Sequence, residues 1–278
     1  MYLALHRTTA TKVLNLELAN ILPRFSHYLR IFTDQHGTHP MTNRINLLSS
    51  PRNLSTALMY SFAQRSDTQV WDEPLYAYYL ESTGKEHPAR EETIRSMSIN
   101  AEQIIEEIIL GQHEKPVSFF KQMSHHLLGV DWAFLKECQN IVYIRNPEEI
   151  IFSYSKVIPQ VQMEDIGIEL QWELIQFLEK EGAPYVVLDS TSMLKNPEDI
   201  LSKLCAALEI PFESSMLSWP KGARPEDGIW AKHWYKNVHQ STGFQTYQKK
   251  EITLNGENRA LADKCRPIFE KLLEKTIR

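Results

Sequence analysis

With 278 residues, 42% hydrophobic and 23% charged, the chain has the composition of a folded globular protein and enough length for one sizeable core or two modest ones. A formal net charge of −5 excludes a protein that binds by coating nucleic-acid phosphates, so any basic site must be local. No stretch comes near the about 18–20 consecutive apolar residues of a membrane span, so we expect a soluble protein with neither membrane nor nucleic acid as partner. Cys138, Cys205 and Cys265 are odd in number and far apart, with no Cys-x-x-Cys pair. That spacing suits free thiols in a reducing, cytoplasmic compartment and argues against disulfides or structural zinc.

In chain order, residues 1–40 read as an N-terminal extension to a domain covering 41–278. In the extension Arg7, Lys12, Arg24 and Arg30 outnumber Glu17 and Asp34, in a chain that is otherwise acidic. Leu14, Leu16, Leu18, Ile21, Leu22, Tyr28 and Leu29 could form one amphipathic helix before the polar, turn-prone stretch 33–40. An upstream extension, a docked helix and a targeting segment all fit this pattern.

From Arg44 onward short apolar runs alternate with longer helical stretches, the pattern of a mostly parallel central sheet flanked by helices in a three-layer α/β fold. Strands are expected at Ile45–Leu48, Val70–Trp71, Val117–Phe120, Ile141–Ile144 and Tyr185–Leu188. Leu54, Leu58, Met59 and Phe62 line one helical face after the first strand; Ile150, Ile151, Tyr154, Val157 and Ile158 do so after the fourth. Asn146-Pro147 and Asn196-Pro197 read as helix starts, because Asn caps and Pro is tolerated at the first helical position. Between the second and third strands Ile104, Ile105, Ile108 and Ile109 form another stripe, stopped at Gly111. A last amphipathic helix carries Leu261, Ile268, Phe269, Leu272 and Leu273.

Ligands of such sheets collect at the carboxyl ends of the strands. The first strand runs into Ser49-Ser50-Pro51-Arg52-Asn53-Leu54-Ser55-Thr56, which offers backbone N–H groups, hydroxyls and a guanidinium at a helix N-terminus. This is either a phosphate cradle or a Ser/Asn-rich helix cap. It contains no Gly-x-x-x-x-Gly-Lys-Ser/Thr, so a magnesium-dependent nucleoside triphosphate loop of the usual kind is disfavoured. The fourth strand ends in Arg145-Asn146-Pro147, with Ser153 on the helix that follows. Arg145 is an always-charged fork of donors that either awaits an anion or pairs with Glu148 or Glu149.

Together these two segments resemble the sulfotransferases that use 3'-phosphoadenylyl sulfate, a family of the P-loop NTPase-like α/β superfamily. Pro51, Arg52, Asn53, Leu54, Ser55 and Thr56 occupy the family's Pro-(Lys/Arg)-Ser-Gly-Thr-Thr loop, and Leu54 stands where the family has Gly. Arg145, Asn146, Pro147 and Ser153 fit its second motif, a strand ending in Arg-Asn/Asp-Pro with a Ser eight positions after the Arg. The likeness extends more softly to Val186–Asp189 with Asn196-Pro197, and to Gly228-Ile229-Trp230-Ala231-Lys232, which resembles a segment closing over the nucleotide.

The resemblance implies that Arg52, Asn53, Leu54, Ser55 and Thr56 hold the 5'-phosphosulfate, and that Arg145 and Ser153 hold the 3'-phosphate. It implies a sulfuryl group moving from that co-substrate to a hydroxyl or amine of a small-molecule acceptor, with no metal required. Arg52 and Lys121, at the end of the third strand, are the candidate cations for charge on the departing bisphosphate. For the general base there are two contenders. Glu73, in Trp71-Asp72-Glu73-Pro74, matches the branch with a Glu-Pro after the second strand. In the other branch a Lys-x-His follows the third strand; here Met123 takes that His position, with His125 and His126 just beyond. Asp72 is a further carboxylate candidate.

The rival readings are an ATP- and magnesium-dependent P-loop kinase or hydrolase, and a non-catalytic nucleotide-binding protein. Trp230, His233, Trp234 and His239 could stack on adenine or an acceptor, form a nucleic-acid surface, or pack as a loop on the sheet edge. Tyr76, Tyr78, Tyr79 and Leu80 suit an acceptor pocket or the core of a short helix. Glu102, Glu106 and Glu107 read as a solvated helix face.

Overall fold

The structure is a computed structural model that describes residues 42–158, 160–249 and 251–277; the extension expected over 1–40 lies outside the described residues. Five strands form one sheet: β1 (Asn43–Ser49), β2 (Thr68–Asp72), β3 (Val117–Met123), β4 (Gln139–Ile144) and β5 (Tyr185–Asp189). Every pairing is parallel and the order is β2-β3-β1-β4-β5. Each expected strand is present, lengthened by residues too polar to stand out in sequence. Lys121 and Gln122, for example, continue β3 fully buried.

Because side chains alternate across a strand, neighbouring apolar residues serve opposite layers. Leu47, Phe119, Ile141 and Tyr143 face a layer containing helix α1 (Ser55–Phe62), whereas Leu48, Phe120 and Val142 face the other. Near-continuous apolar strands are what a sheet covered on both faces requires. Phe62 of α1 stacks on Phe119 at 4.3 Å between ring centroids, and truncating such a buried aromatic to Ala costs about 3–5 kcal/mol.

On the opposite face lie α4 (Pro147–Tyr154), α5 (Ile168–Glu181) and α7 (Gly256–Glu274), while α6 (Pro197–Ala207) shares the layer of α1. Two short helices follow β2: α2 (Tyr76–Thr83) and α3 (Arg90–Ser96). The Asn-Pro starts act as caps, with the Asn146 side chain accepting from Glu148 N at 2.9 Å and Asn196 accepting from Asp199 N. Helix α4 is shorter than its apolar stripe suggests. The Tyr154 carbonyl accepts from both Val157 N and Ile158 N, closing the helix in a turn that leaves Val157 43% exposed. The Ile104–Ile109 stripe likewise passes into a single wide turn, in which Leu110 N donates to Ile105 O at 2.7 Å. Cys138, Cys205 and Cys265 are free and buried, and among the described residues no helix is long and apolar enough to cross a membrane.

Candidate active site

The carboxyl ends of β1 to β4 open into one cavity of about 770 Å3, lined by Arg52 to Thr56, Glu73, Lys121, Met123, His125, Arg145, Ser153 and the segment from Trp230 to Tyr247. Its size suits a whole small-molecule ligand. The loop after β1 forms its floor. Asn53 is fully buried; its amide nitrogen donates to Tyr143 O at 2.5 Å, and its Oδ1 accepts from Ser49 Oγ at 2.5 Å. Ser50 Oγ donates to Gln171 Oε1 at 3.0 Å.

These polar side chains therefore bolt the loop to β4 and α5 and do not cap α1, whose start at Ser55 has no side-chain cap. The first-turn N–H groups of α1 are left available at the positive end of its dipole. Arg52 (φ 59°) and Leu54 (φ 73°) both adopt left-handed backbone. Leu54 thus takes the conformation for which Gly is best suited, and the turn of the loop is preserved at a cost of about 1–2 kcal/mol.

Two guanidinium groups meet at one lip of this cavity. Arg145 Nη1 donates to the Arg52 carbonyl at 2.6 Å, and Arg52 Nε donates to Ser153 Oγ at 3.2 Å. Of the two readings of Arg145, the structure shows the carboxylate pair, its fork engaged by Glu149 Oε2 at 2.6 and 2.7 Å, while the same side chain lines the cavity. Glu148 turns away to Arg259 and Arg266. Burial, and then the charge of Arg145, lower the pKa of Arg52.

The other end is drier. Lys121 is fully buried, not a solvated strand-end lysine. Its ammonium donates to Asp72 Oδ1 at 2.8 Å, to Glu73 Oε1, and to the Tyr235 hydroxyl at 2.7 Å. Burial opposes the charge on Lys121, but Asp72 and Glu73 outweigh it and raise its pKa. Glu73 sits at φ 50°, with its N–H donating to Lys121 O at 2.7 Å. Burial pushes its carboxyl up to about 7, against the pull of Lys121 and with the help of Asp72.

His125 and His126 are buried. Burial, more than any neighbour, lowers His125 to about 3 and His126 well below its ordinary value, so both imidazoles are neutral. They fill an aromatic wall: His126 stacks on Tyr76 at 4.8 Å, and His125 lies 4.9 Å from Tyr79. His126 Nε2 is 3.9 Å from Glu73 Oε2. Tyr76 and Tyr79 are buried on α2, and Tyr76 lines the cavity as well.

The segment expected to close over the nucleotide, 228–232, contributes Trp230 to the cavity, and Trp234 and Tyr235 just beyond it line the cavity as well. Lys232 instead pairs with Glu92 at the surface. Sequence reading did not single out Tyr235 or the cavity-lining stretch from Gly243 to Tyr247. No local pattern marks them, since Lys121 and Asp72, which Tyr235 meets, lie 114 and 163 residues away in the chain.

A sulfotransferase domain family model matches residues 43–260 of this chain. The chain belongs to the sulfotransferase domain family. Among curated proteins it is 39% identical over 229 residues to the branched-chain-amino-acid aminotransferase-like protein 2 of Arabidopsis thaliana, a match covering 82% of this chain and 41% of that protein. It therefore spans about two fifths of the length of such relatives. Among solved structures this sulfotransferase-family chain resembles the sulfotransferase domain from the Synechococcus PCC 7002 olefin synthase, with TM-score 0.51 and 17% identity over 83% of this chain and 97% of that one. A sulfotransferase from Alicyclobacillus acidocaldarius gives TM-score 0.51 at 10% identity, over 84% and 97% of the two chains. At these identities the likeness is one of fold, the P-loop-like α/β architecture expected from the sequence.

Proposed function

We propose that this sulfotransferase-family chain moves a sulfuryl group from 3'-phosphoadenylyl sulfate to a hydroxyl or amine of a small-molecule acceptor. The observation that carries this reading is that a single cavity joins the Arg52–Ser153–Arg145 lip to the Glu73–Lys121 pair. The lip receives the 3'-phosphate, for which Arg145 must exchange Glu149 as its anion. Ser55, Thr56 and the free N–H groups of α1 receive the 5'-phosphosulfate. The acceptor lies against the neutral wall of Tyr76, His126 and Trp230.

In the transfer the acceptor oxygen or nitrogen forms a bond to sulfur as the bond from sulfur to the bridging oxygen breaks. The acceptor's proton passes to Glu73, and charge on the departing 5'-phosphate is met by Lys121 and by fixed N–H dipoles. Glu73 suits the base better than His125, because a carboxyl near 7 accepts a proton at neutral pH with useful driving force, whereas an imidazole near 3 does not. The three buried free thiols support a reducing, cytoplasmic setting.

Thermal denaturation with nucleotides tests the donor site. Micromolar adenosine 3',5'-bisphosphate should raise Tm without any metal, by the mass action of a ligand that binds only the folded state. Stabilisation confined to ATP with magnesium would overturn the reading in favour of a kinase or hydrolase. Stabilisation by the bisphosphate without turnover on any acceptor would leave a nucleotide-binding protein.

A further inference from the structure

Lys121 has three ammonium hydrogens, and the structure gives them three acceptors: Asp72, Glu73 and the Tyr235 hydroxyl. Asp72 lies outside the cavity lining and takes two more donors, with the Tyr235 hydroxyl 2.8 Å from each of its oxygens and Gly228 N at 3.0 Å. The Tyr235 hydroxyl also receives the Trp230 indole N–H at 3.2 Å. Lys121, Asp72, Tyr235 and Trp230 are all buried. A hydroxyl that accepts from an ammonium and an indole while donating to a carboxylate has a fixed orientation and no spare capacity.

Resting on the sulfuryl-transfer reading above, we propose that Tyr235 is a positioning residue for the Glu73–Lys121 pair. Its hydroxyl and Asp72 hold two of the three Lys121 hydrogens, so that one hydrogen alone is shared between Glu73 and the anionic oxygen of an incoming donor. Arrival of the donor then draws that hydrogen bond away from Glu73 and leaves the carboxylate facing the acceptor. Trp230 and Gly228 extend the device to the segment beside the cavity, which couples the position of that segment to the pair.

The groups facing Glu73 are Asp72 from β2, Lys121 from β3, His126 beyond β3, Tyr76 from α2, Tyr154 from α4 and Tyr235. Among them the Tyr235 hydroxyl lies 3.5 Å from Glu73 Oε1 but gives its one hydrogen to Asp72, offsetting the Asp72 charge that raises Glu73. Removing the hydroxyl therefore leaves Glu73 holding its proton to higher pH.

The test is an infrared titration of the protonated carboxyl band in the purified ligand-free protein, with the band of Glu73 identified by its loss in Glu73→Gln. It needs no acceptor and no turnover, so its outcome is independent of whether the chain transfers sulfate. Tyr235→Phe should raise the proton affinity of Glu73 by about three- to tenfold, because Asp72 loses a hydrogen bond that offsets its charge. Trp230→Phe, which removes the indole donor but keeps the hydroxyl, should move it the same way by less. A Glu73 midpoint within about twofold of the wild type in folded Tyr235→Phe would overturn the proposal, since a hydroxyl that merely packs leaves the titration in place. Should Tyr235→Phe fail to fold, an unmoved midpoint in Trp230→Phe would overturn it equally.

Discussion

The two ends of the cavity handle charge in opposite ways. At the lip Arg52 and Arg145 lie side by side with one carboxylate, Glu149, paired to the Arg145 fork; the side chains of Arg145 and Glu149 are each 14% exposed. At the other end Lys121 is out of contact with solvent and is matched by two carboxylates. The lip therefore has positive charge to offer a ligand, whereas the dry end has spent its charge on itself and keeps one group, Glu73, whose proton state is set near neutrality. On the proposed reading one end binds an anion and the other moves a proton. Their placement at adjacent strand ends of a parallel sheet would bring both within reach of the proposed nucleotide donor and its acceptor.

The largest effect that tests this contrast is at Glu73. Glu73→Gln keeps the shape and a hydrogen-bond acceptor for Lys121 but cannot take a proton, so turnover should fall by about 10²–10⁴-fold, the range for a positioned general base. Calorimetric affinity for adenosine 3',5'-bisphosphate should stay within a few-fold of the wild type. The sign of the pH dependence follows from the active form. A base raised to about 7 is deprotonated above that value, so kcat should climb through neutral pH and level off at higher pH, and Glu73→Gln should flatten the climb. Loss of binding together with turnover would show that the dry end also holds the donor and would erase the distinction. Loss of turnover in His125→Ala with Glu73→Gln unaffected would move the base to the histidine.

Arg145→Ala acts at the opposite end. It should weaken adenosine 3',5'-bisphosphate by about 10–100-fold, the worth of a charge-assisted pair, while leaving adenosine 5'-phosphate nearly unchanged. Because the substitution also strands Glu149 beside the binding position, Arg145→Ala with Glu149→Gln separates lost attraction from added repulsion. Equal weakening of both nucleotides would mean that Arg145 acts through the Arg52 carbonyl it holds and not on the 3'-phosphate.

The lip was legible in the sequence and most of the dry end was not, for the same physical reason. Arg52, Asn53, Ser55 and Thr56 are consecutive or nearly so, and Arg145 and Ser153 are tied by one strand-to-helix turn, so local spacing carries their geometry. The five strands and the Asn-Pro helix starts were equally readable, since alternation and capping are local. Glu73 and Lys121 could be named as strand-end groups, but their direct pairing depends on β2 lying beside β3, a register that no local pattern states. Tyr235 was invisible because its role rests on contacts with β2 and β3 made from beyond the last strand. The burial of the histidine pair was not legible either, because it comes from α2 and the α5 side of the molecule.

The smallest effect bears on how the lip keeps its shape without the family's glycine. Leu54 is left-handed at φ 73° and ψ 15°, and its side chain packs against the layer of α1 and α6. Leu54→Gly removes a backbone cost of about 1 kcal/mol and gives up partly buried apolar area of similar worth, so urea unfolding should place it within about 1 kcal/mol of the wild type. Leu54→Val keeps much of that area but tolerates left-handed backbone less well, and should lose about 1–2 kcal/mol. If both variants lose the same amount, packing and not backbone conformation fixes this turn. If Leu54→Gly alone also binds the bisphosphate more tightly, the leucine limits how closely the anion approaches the N–H groups of α1, whereas unchanged affinity shows that the cradle tolerates a side chain where the family dispenses with one.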